Sequence, residues 1–176
     1  MDYWVSTEMA DPPLDYHWVT DRLAVGGGIW TRRNMESLAA AGITHVVDMQ
    51  IEFDDRQVAD GTGVQVLWNP CDDDFEEKPV ELLRRGVEFA RRALELPNTR
   101  VYFHCSAGIH RGPMMLLATL MSQGMGLPDA IDLIRSRRPH ADFPDVYRRS
   151  VVRFIEGWSA AGRTATGLGA TPGPPV

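Results

Sequence analysis

Lysine is almost missing from this 176-residue chain: of its 18 basic residues only Lys78 is a lysine. Against them stand 24 acidic residues, for a formal net charge of -6. Nucleic acids and anionic membranes are bound through a broad basic field. Neither is therefore expected as a partner, although one small positive site for a single phosphate remains compatible with the balance. Cysteine is equally scarce, with only Cys71 and Cys105. Two cysteines do not make a disulfide framework and suit a reducing compartment. No run of about 18 apolar residues exists to cross a membrane. The opening Met1-Asp2-Tyr3-Trp4-Val5 lacks the basic and apolar regions of a secretory signal. A cytoplasmic protein is the expectation.

What is present is ordinary for a globular domain: 44% apolar and 24% charged residues. The length suits one domain with a real core. Residues 1–15 are polar, contain Pro12-Pro13 and read as a loose lead-in. Residues 161–176 are rich in Gly, Thr and Pro and read as a disordered tail. The domain proper then covers 16–160. Within it, β-branched runs at 43–49 and 64–68 read as strands, the second stopped by Asn69-Pro70. Met35, Leu38 and Ala39 mark a short helix closed by Gly42. Leu83, Val87, Ala90 and Leu94 step by four, three and four along one helical stripe, bounded by Pro79 and Pro97. Residues 101–104 form a short apolar strand between helical patterns, which suggests a central place in a covered sheet. Helices follow over 114–121, from Pro128 through Ile134, and from Asp145 to Trp158. Alternating strands and helices predict a three-layer α/β domain with a mostly parallel sheet flanked by helices.

The segment His104-Cys105-Ser106-Ala107-Gly108-Ile109-His110-Arg111 joins that central strand to a helix. Unpaired amides and the dipole at a helix N-terminus favour an anion. Gly108 permits a sharp bend, and a loop with its N–H groups turned inward makes an anion nest. Arg111 adds a planar fork for two phosphate oxygens. A thiol in such a cup has a depressed pKa, on the order of 3.5–7.5, and Cys105 would be a thiolate aimed at phosphorus. His104 is expected to support the loop. A phosphoester also needs its leaving oxygen protonated. Asp72, Asp73 and Asp74 follow another strand, and loops after parallel strands share one sheet edge. Any of the three aspartates would serve.

His-Cys, five residues, then Arg resembles the signature of the protein tyrosine phosphatase superfamily, and the short acid loop resembles its dual-specificity branch. The likeness extends over residues 16 to 158. Residues 19–27 resemble the family's opening strand pair, 38–48 its first helix and strand, and 134–139 its late helix. The resemblance implies Cys105 as a nucleophile that becomes a phosphocysteine. It implies Arg111 and the amides from Ser106 through Ala107, Gly108, Ile109 and His110 as the phosphate cradle. In the Pro70-Cys71-Asp72-Asp73 arrangement it implies Asp73 as general acid, with Asp72 and Asp74 as alternatives. A phosphorylated protein or other phosphoester is the implied substrate. No cofactor is implied, and His17, His45, His104, His110 and His140 show no metal-ligand spacing. One position departs from the pattern. The family commonly has Ser or Thr after the loop arginine, where this chain has Gly112. The missing hydroxyl predicts slow release of phosphate, with Gly112→Ser speeding turnover, and it gives weight to an alternative: a weakly active pseudophosphatase that binds phosphorylated partners. Cys71 is a candidate for trapping an oxidised Cys105 as a disulfide.

Overall fold

Short β-branched and aromatic runs each find a neighbour in one sheet. In the computed structural model, which describes residues 13–166, Tyr16–Trp18 (β1) turns back antiparallel onto Leu23–Gly26 (β2). The chain continues through Arg32–Ala40 (α1), His45–Gln50 (β3), Arg56–Ala59 (α2) and Gln65–Cys71 (β4). Then come Val80–Glu95 (α3), Val101–His104 (β5), Arg111–Ser122 (α4), Leu127–Arg137 (α5) and Asp145–Thr166 (α6).

The strand order is β1-β2-β5-β3-β4. All pairs but the first are parallel, and β5 lies between β2 and β3 with Phe103 opposite Val25 and Val47. Successive side chains of a strand face opposite ways, and β5 divides its residues accordingly. Val101 and Phe103 enter the larger core beneath α3 to α6, with Leu83, Val87, Met115 and Phe154. Tyr102 enters the smaller core beneath α1 with Met35 and Leu38. Each such fully buried Leu, Val or Phe contributes roughly 1.5–3 kcal/mol. Two helical layers over a mostly parallel sheet are the architecture expected from the sequence. Among the described residues, no helix is long and apolar enough to cross a membrane.

The differences lie at the edges. The opening strand pair begins at Tyr16, and residues 19–22 form its turn. The Thr20 hydroxyl accepts there from the amides of Arg22 and Leu23. β4 runs through Pro70 to Cys71, because an edge strand has no outer neighbour to miss a proline N–H. α6 continues past Trp158 to Thr166, so the segment read as a tail from 161 begins as helix. Alanine, the strongest helix former, recurs there at 160, 161 and 165. The rest of that tail, and residues 1–12 of the lead-in, lie outside the described residues. The lead-in ends in a fixed residue: the Asp15 carbonyl accepts from Gly27 N at 2.8 Å. The short α2 has too few residues for a periodic signal.

Candidate active site

Strand β5 delivers Cys105, only 2% exposed, to the C-terminal edge of the sheet, and α4 begins six residues later at Arg111. Between them, five successive carbonyls are turned outward and held. Ser106 O accepts from Gly28 N at 3.0 Å, Ile109 O from Asp142 N at 2.8 Å and His110 O from Met114 N at 2.8 Å. Ala107 O and Gly108 O accept from the Arg138 guanidinium at 3.1 and 2.6 Å. In a trans peptide the N–H points opposite to the preceding carbonyl, and no peptide here is cis. The amides of Ala107, Gly108, Ile109, His110 and Arg111 therefore face the other way, as in an anion nest. Gly108 has φ of 64°, and a Cβ there would stand 2.4 Å from the Gly26 carbonyl group. Glycine is required at that point.

Arg138 is the loop's scaffold. It is fully buried, and its fork also takes both oxygens of Asp15, at 3.1 and 2.7 Å. The Arg138 hydrogen bond outweighs burial and holds the Asp15 carboxyl below its ordinary range. Sequence periodicity makes Arg138 a helix C-terminal charge, and nothing local reveals a reach of thirty residues to Gly108.

Arg111 is also buried, and it is aimed by a partner that the sequence reading missed. Nη1 and Nη2 take the two oxygens of Glu52 at 2.9 and 2.8 Å, and Nη1 also reaches Cys71 O at 2.9 Å. This fork–fork pair fixes the guanidinium plane. Nε is buried without a partner, so one donor edge is left for an anion. Burial opposes the charge, but Glu52 and then Cys105 hold Arg111 above its usual value, and Arg111 in turn lowers Glu52.

The three aspartates after β4 are separated by their partners. Asp74 pairs with Lys78, the single lysine. Asp72 meets the same ammonium through its carbonyl at 2.7 Å. Asp73 turns toward the loop: Oδ2 lies 2.9 Å from His110 Nδ1, and Oδ1 accepts from Tyr147 OH at 2.9 Å. The candidate nucleophile, anion cradle and acid thus share one sheet edge.

The family model for the dual specificity phosphatase catalytic domain matches residues 28–155. The chain belongs to the dual specificity phosphatase family. It is 31% identical over 118 residues to the mouse dual specificity protein phosphatase 13B, covering 64% of this chain and 59% of that one. It is 30% identical over 105 residues to the human protein tyrosine phosphatase type IVA 3, covering 59% of this chain and 60% of that one. The matches thus span about three fifths of these curated relatives. Among solved structures, PTPMT1 superposes with a TM-score of 0.73 at 22% identity, over 85% of this chain and 99% of that one. A mouse putative dual specificity phosphatase complexed with zinc tungstate gives 0.71 at 23%, over 90% and 96%.

Beneath the phosphatase loop lies a buried cluster. His104, stacked on Tyr102 at 5.2 Å and 13°, brings Nε2 to 2.6 Å from Asp55 and 3.7 Å from Asp48. All three side chains are closed to solvent. Burial opposes the imidazolium, but Asp55 and Asp48 outweigh it and raise the His104 pKa. Asp48 is pushed up, by burial first and by the Asp55 charge. The three ligand atoms lie within 4.8 Å of one another, close enough to suggest a metal. Zinc–ligand bonds of about 2.0–2.1 Å put tetrahedral neighbours about 3.3 Å apart. The 2.6 Å His–Asp contact is shorter than that spacing and, without hydrogen-bond alignment, reads as a buried ion pair.

The structure adds an observation to each of two expectations. Gly112 packs against the backbone: a Cβ would stand 2.9 Å from His104 Cα and 3.0 Å from His104 C. A serine needs space that the loop does not offer. Gly112→Ser is therefore expected to destabilise the fold by about 1–3 kcal/mol, as overpacking does, and to slow turnover instead of speeding it. Urea unfolding together with steady-state turnover checks both. Cys71 has its thiol pushed up to about 11 by burial. A thiol that stays protonated at neutral pH is a poor resolving group.

Proposed function

We propose that the chain hydrolyses phosphoesters by covalent catalysis, as a protein-tyrosine and dual-specificity phosphatase. The outward carbonyls around Cys105 carry this reading. The matching inward amides, with Arg111 Nε, would surround three phosphate oxygens and stabilise both the Cys105 thiolate and the charge of the transition state. Cys105 attacks phosphorus, forming the phosphocysteine, while Asp73 protonates the leaving oxygen. Asp73 then takes a proton from water as water attacks the phosphocysteine. His104 braces the loop from below, and Glu52 keeps Arg111 in plane.

The rim supports an aryl phosphoester. Among the described residues, four large apolar side chains are exposed, and three of them lie on segments that bond or pack against the loop. Trp30 lies two residues after Gly28, whose amide donates to Ser106 O. Ile51 precedes Glu52, and Phe75 packs edge-on to His110 at 5.1 Å. Trp30 and Phe75 hold φ of 62° and 58°, a strained backbone of the kind that clusters at functional sites. The cations nearby are already engaged: Arg111 is paired with Glu52, and Lys78 with Asp74. That combination suits a flat aromatic ring bearing one phosphate better than a headgroup bearing several. A structural neighbour, PTPMT1, has been solved with PI(5)P, so the lipid is the comparison to make. A phosphotyrosine peptide is expected to exceed dispersed PI(5)P in kcat/KM by at least tenfold, about 1.4 kcal/mol. The reverse order would make the protein a lipid phosphatase. Binding of the peptide with no turnover of either substrate would make it the phosphate-binding pseudophosphatase.

A further inference from the structure

Asp73 is held at both oxygens, and the two holders differ in kind. Tyr147 comes from α6. Its oxygen accepts from Phe75 N at 3.1 Å, so its hydrogen is free to point at Asp73 Oδ1. Burial, with help from Asp73, raises the phenol pKa, so Tyr147 remains a fixed donor. His110 comes from the anion loop itself, one residue before Arg111. Its ring is clamped edge-on by Phe75, and Phe75 stacks on Tyr147 at 5.9 Å and 16°. The His110 side chain is 19% exposed and that of Asp73 31%.

The 2.9 Å contact between His110 Nδ1 and Asp73 Oδ2 requires one proton on the line between them, whichever atom formally carries it. A general acid must give that proton to the leaving oxygen. It cannot do so while the imidazole keeps it. We propose that His110 is the proton partner of Asp73, the pair holding one proton that passes through the Asp73 carboxyl to the leaving oxygen. This rests on the reading of Asp73 as the general acid.

The steps balance. Sulfur–phosphorus bonding forms as the phosphorus–oxygen bond breaks. The leaving oxygen takes the electron pair and a proton from Asp73, and Asp73 takes the proton of His110 Nδ1. The products are the free alcohol, phosphocysteine, carboxylate and neutral imidazole. In the second step water attacks phosphorus, its proton goes to Asp73 and on to Nδ1, and the sulfur leaves as thiolate. Each oxygen of Asp73 has a second lone pair, so Tyr147 can keep its hydrogen bond throughout. Other groups face the imidazole. Asp142, from the α5–α6 connection, has Oδ2 3.6 Å from Nε2, and its Oδ1 lies 3.6 Å from Arg135. Arg111 and Cys105 belong to the same loop. Asp142 favours a hydrogen on Nε2, which leaves Nδ1 for the shared proton.

The test uses His110→Asn, whose amide nitrogen takes the place of Nδ1 and can donate to Asp73 but cannot give up a proton. Phenyl phosphate, whose leaving group needs protonation, is compared with 4-nitrophenyl phosphate, whose leaving group hardly does. The loss of kcat for phenyl phosphate is expected to exceed that for the nitrophenyl ester by at least about tenfold. That excess should shrink as the pH is lowered and solvent protonates Asp73. Tyr147→Phe, which removes a positioning bond alone, is expected to lower both esters alike at every pH. If His110→Asn lowers both alike with no pH dependence, or lowers neither, the proton-partner role is overturned and Asp73 remains the acid. A wild type insensitive to Asp73→Asn on both esters would overturn the reading of Asp73 itself, and the proposal with it.

Discussion

Cys105→Ser is expected to lower hydrolysis of 4-nitrophenyl phosphate by about 10⁴-fold or more, the scale on which a covalent catalyst loses its nucleophile. The site argues for so large an effect because little else there attacks phosphorus. A serine hydroxyl is a far weaker nucleophile than a cysteine sulfur at the same place. Cys71, the other cysteine, is buried behind the Arg111 contact, and its thiol is pushed up to about 11. The cradle is built from backbone amides and should survive the change. Tungstate or vanadate is therefore expected to bind the variant still. Loss of binding together with activity would point to a collapsed loop, and the thermal melt separates the two. Hydrolysis that persists in the folded variant would remove Cys105 from the mechanism.

Arg111→Lys is the second large effect. It keeps the charge and removes the geometry. The guanidinium spends two nitrogens on Glu52 and Cys71 O and leaves Nε for phosphate. An ammonium cannot hold the carboxylate in two places and also face the cradle. Loss of one preorganised donor costs on the order of 10²–10³ in rate, so kcat/KM is expected to fall by about 10³. Glu52→Gln weakens only the aim of Arg111, and its loss should be smaller. Equal losses for the two variants would mean that Glu52 does more than orient the fork. Turnover of an aryl phosphate by both proteins, alongside their melts, reads this out.

How much of this was legible beforehand depends on whether a residue acts through its neighbours in sequence or across the fold. The loop from Cys105 to Arg111 is contiguous and lies between a strand and a helix, so composition and spacing identify it. The central place of β5 follows from an apolar run between helical patterns. Composition and spacing leave a run of three aspartates and only the resemblance singles out Asp73, because the partners that set it apart, Lys78 on Asp74 and Tyr147 and His110 on Asp73, come together in the fold. Tyr147 is seventy-four residues from that aspartate. Glu52 and Arg138 escaped for the same reason, although a carboxylate just after a parallel strand is a signal that was available. Asp48 offered another, as a charge inside a strand whose neighbours Val46, Val47 and Met49 are all buried. Gly112 is the opposite case. Sequence shows which atoms a glycine lacks, and only packing shows that His104 has taken their place.

In the proposed mechanism phosphate passes through Cys105. The most direct measurement is rapid mixing of the wild-type protein with excess 4-nitrophenyl phosphate, followed by acid quenching within the first turnover and peptide mass analysis. The expected result is one phosphoryl group on the peptide containing Cys105, appearing in step with a burst of nitrophenol and absent from Cys105→Ser. Full turnover with no phosphoryl group on that peptide at any quench time, or with the group on another residue, would contradict it.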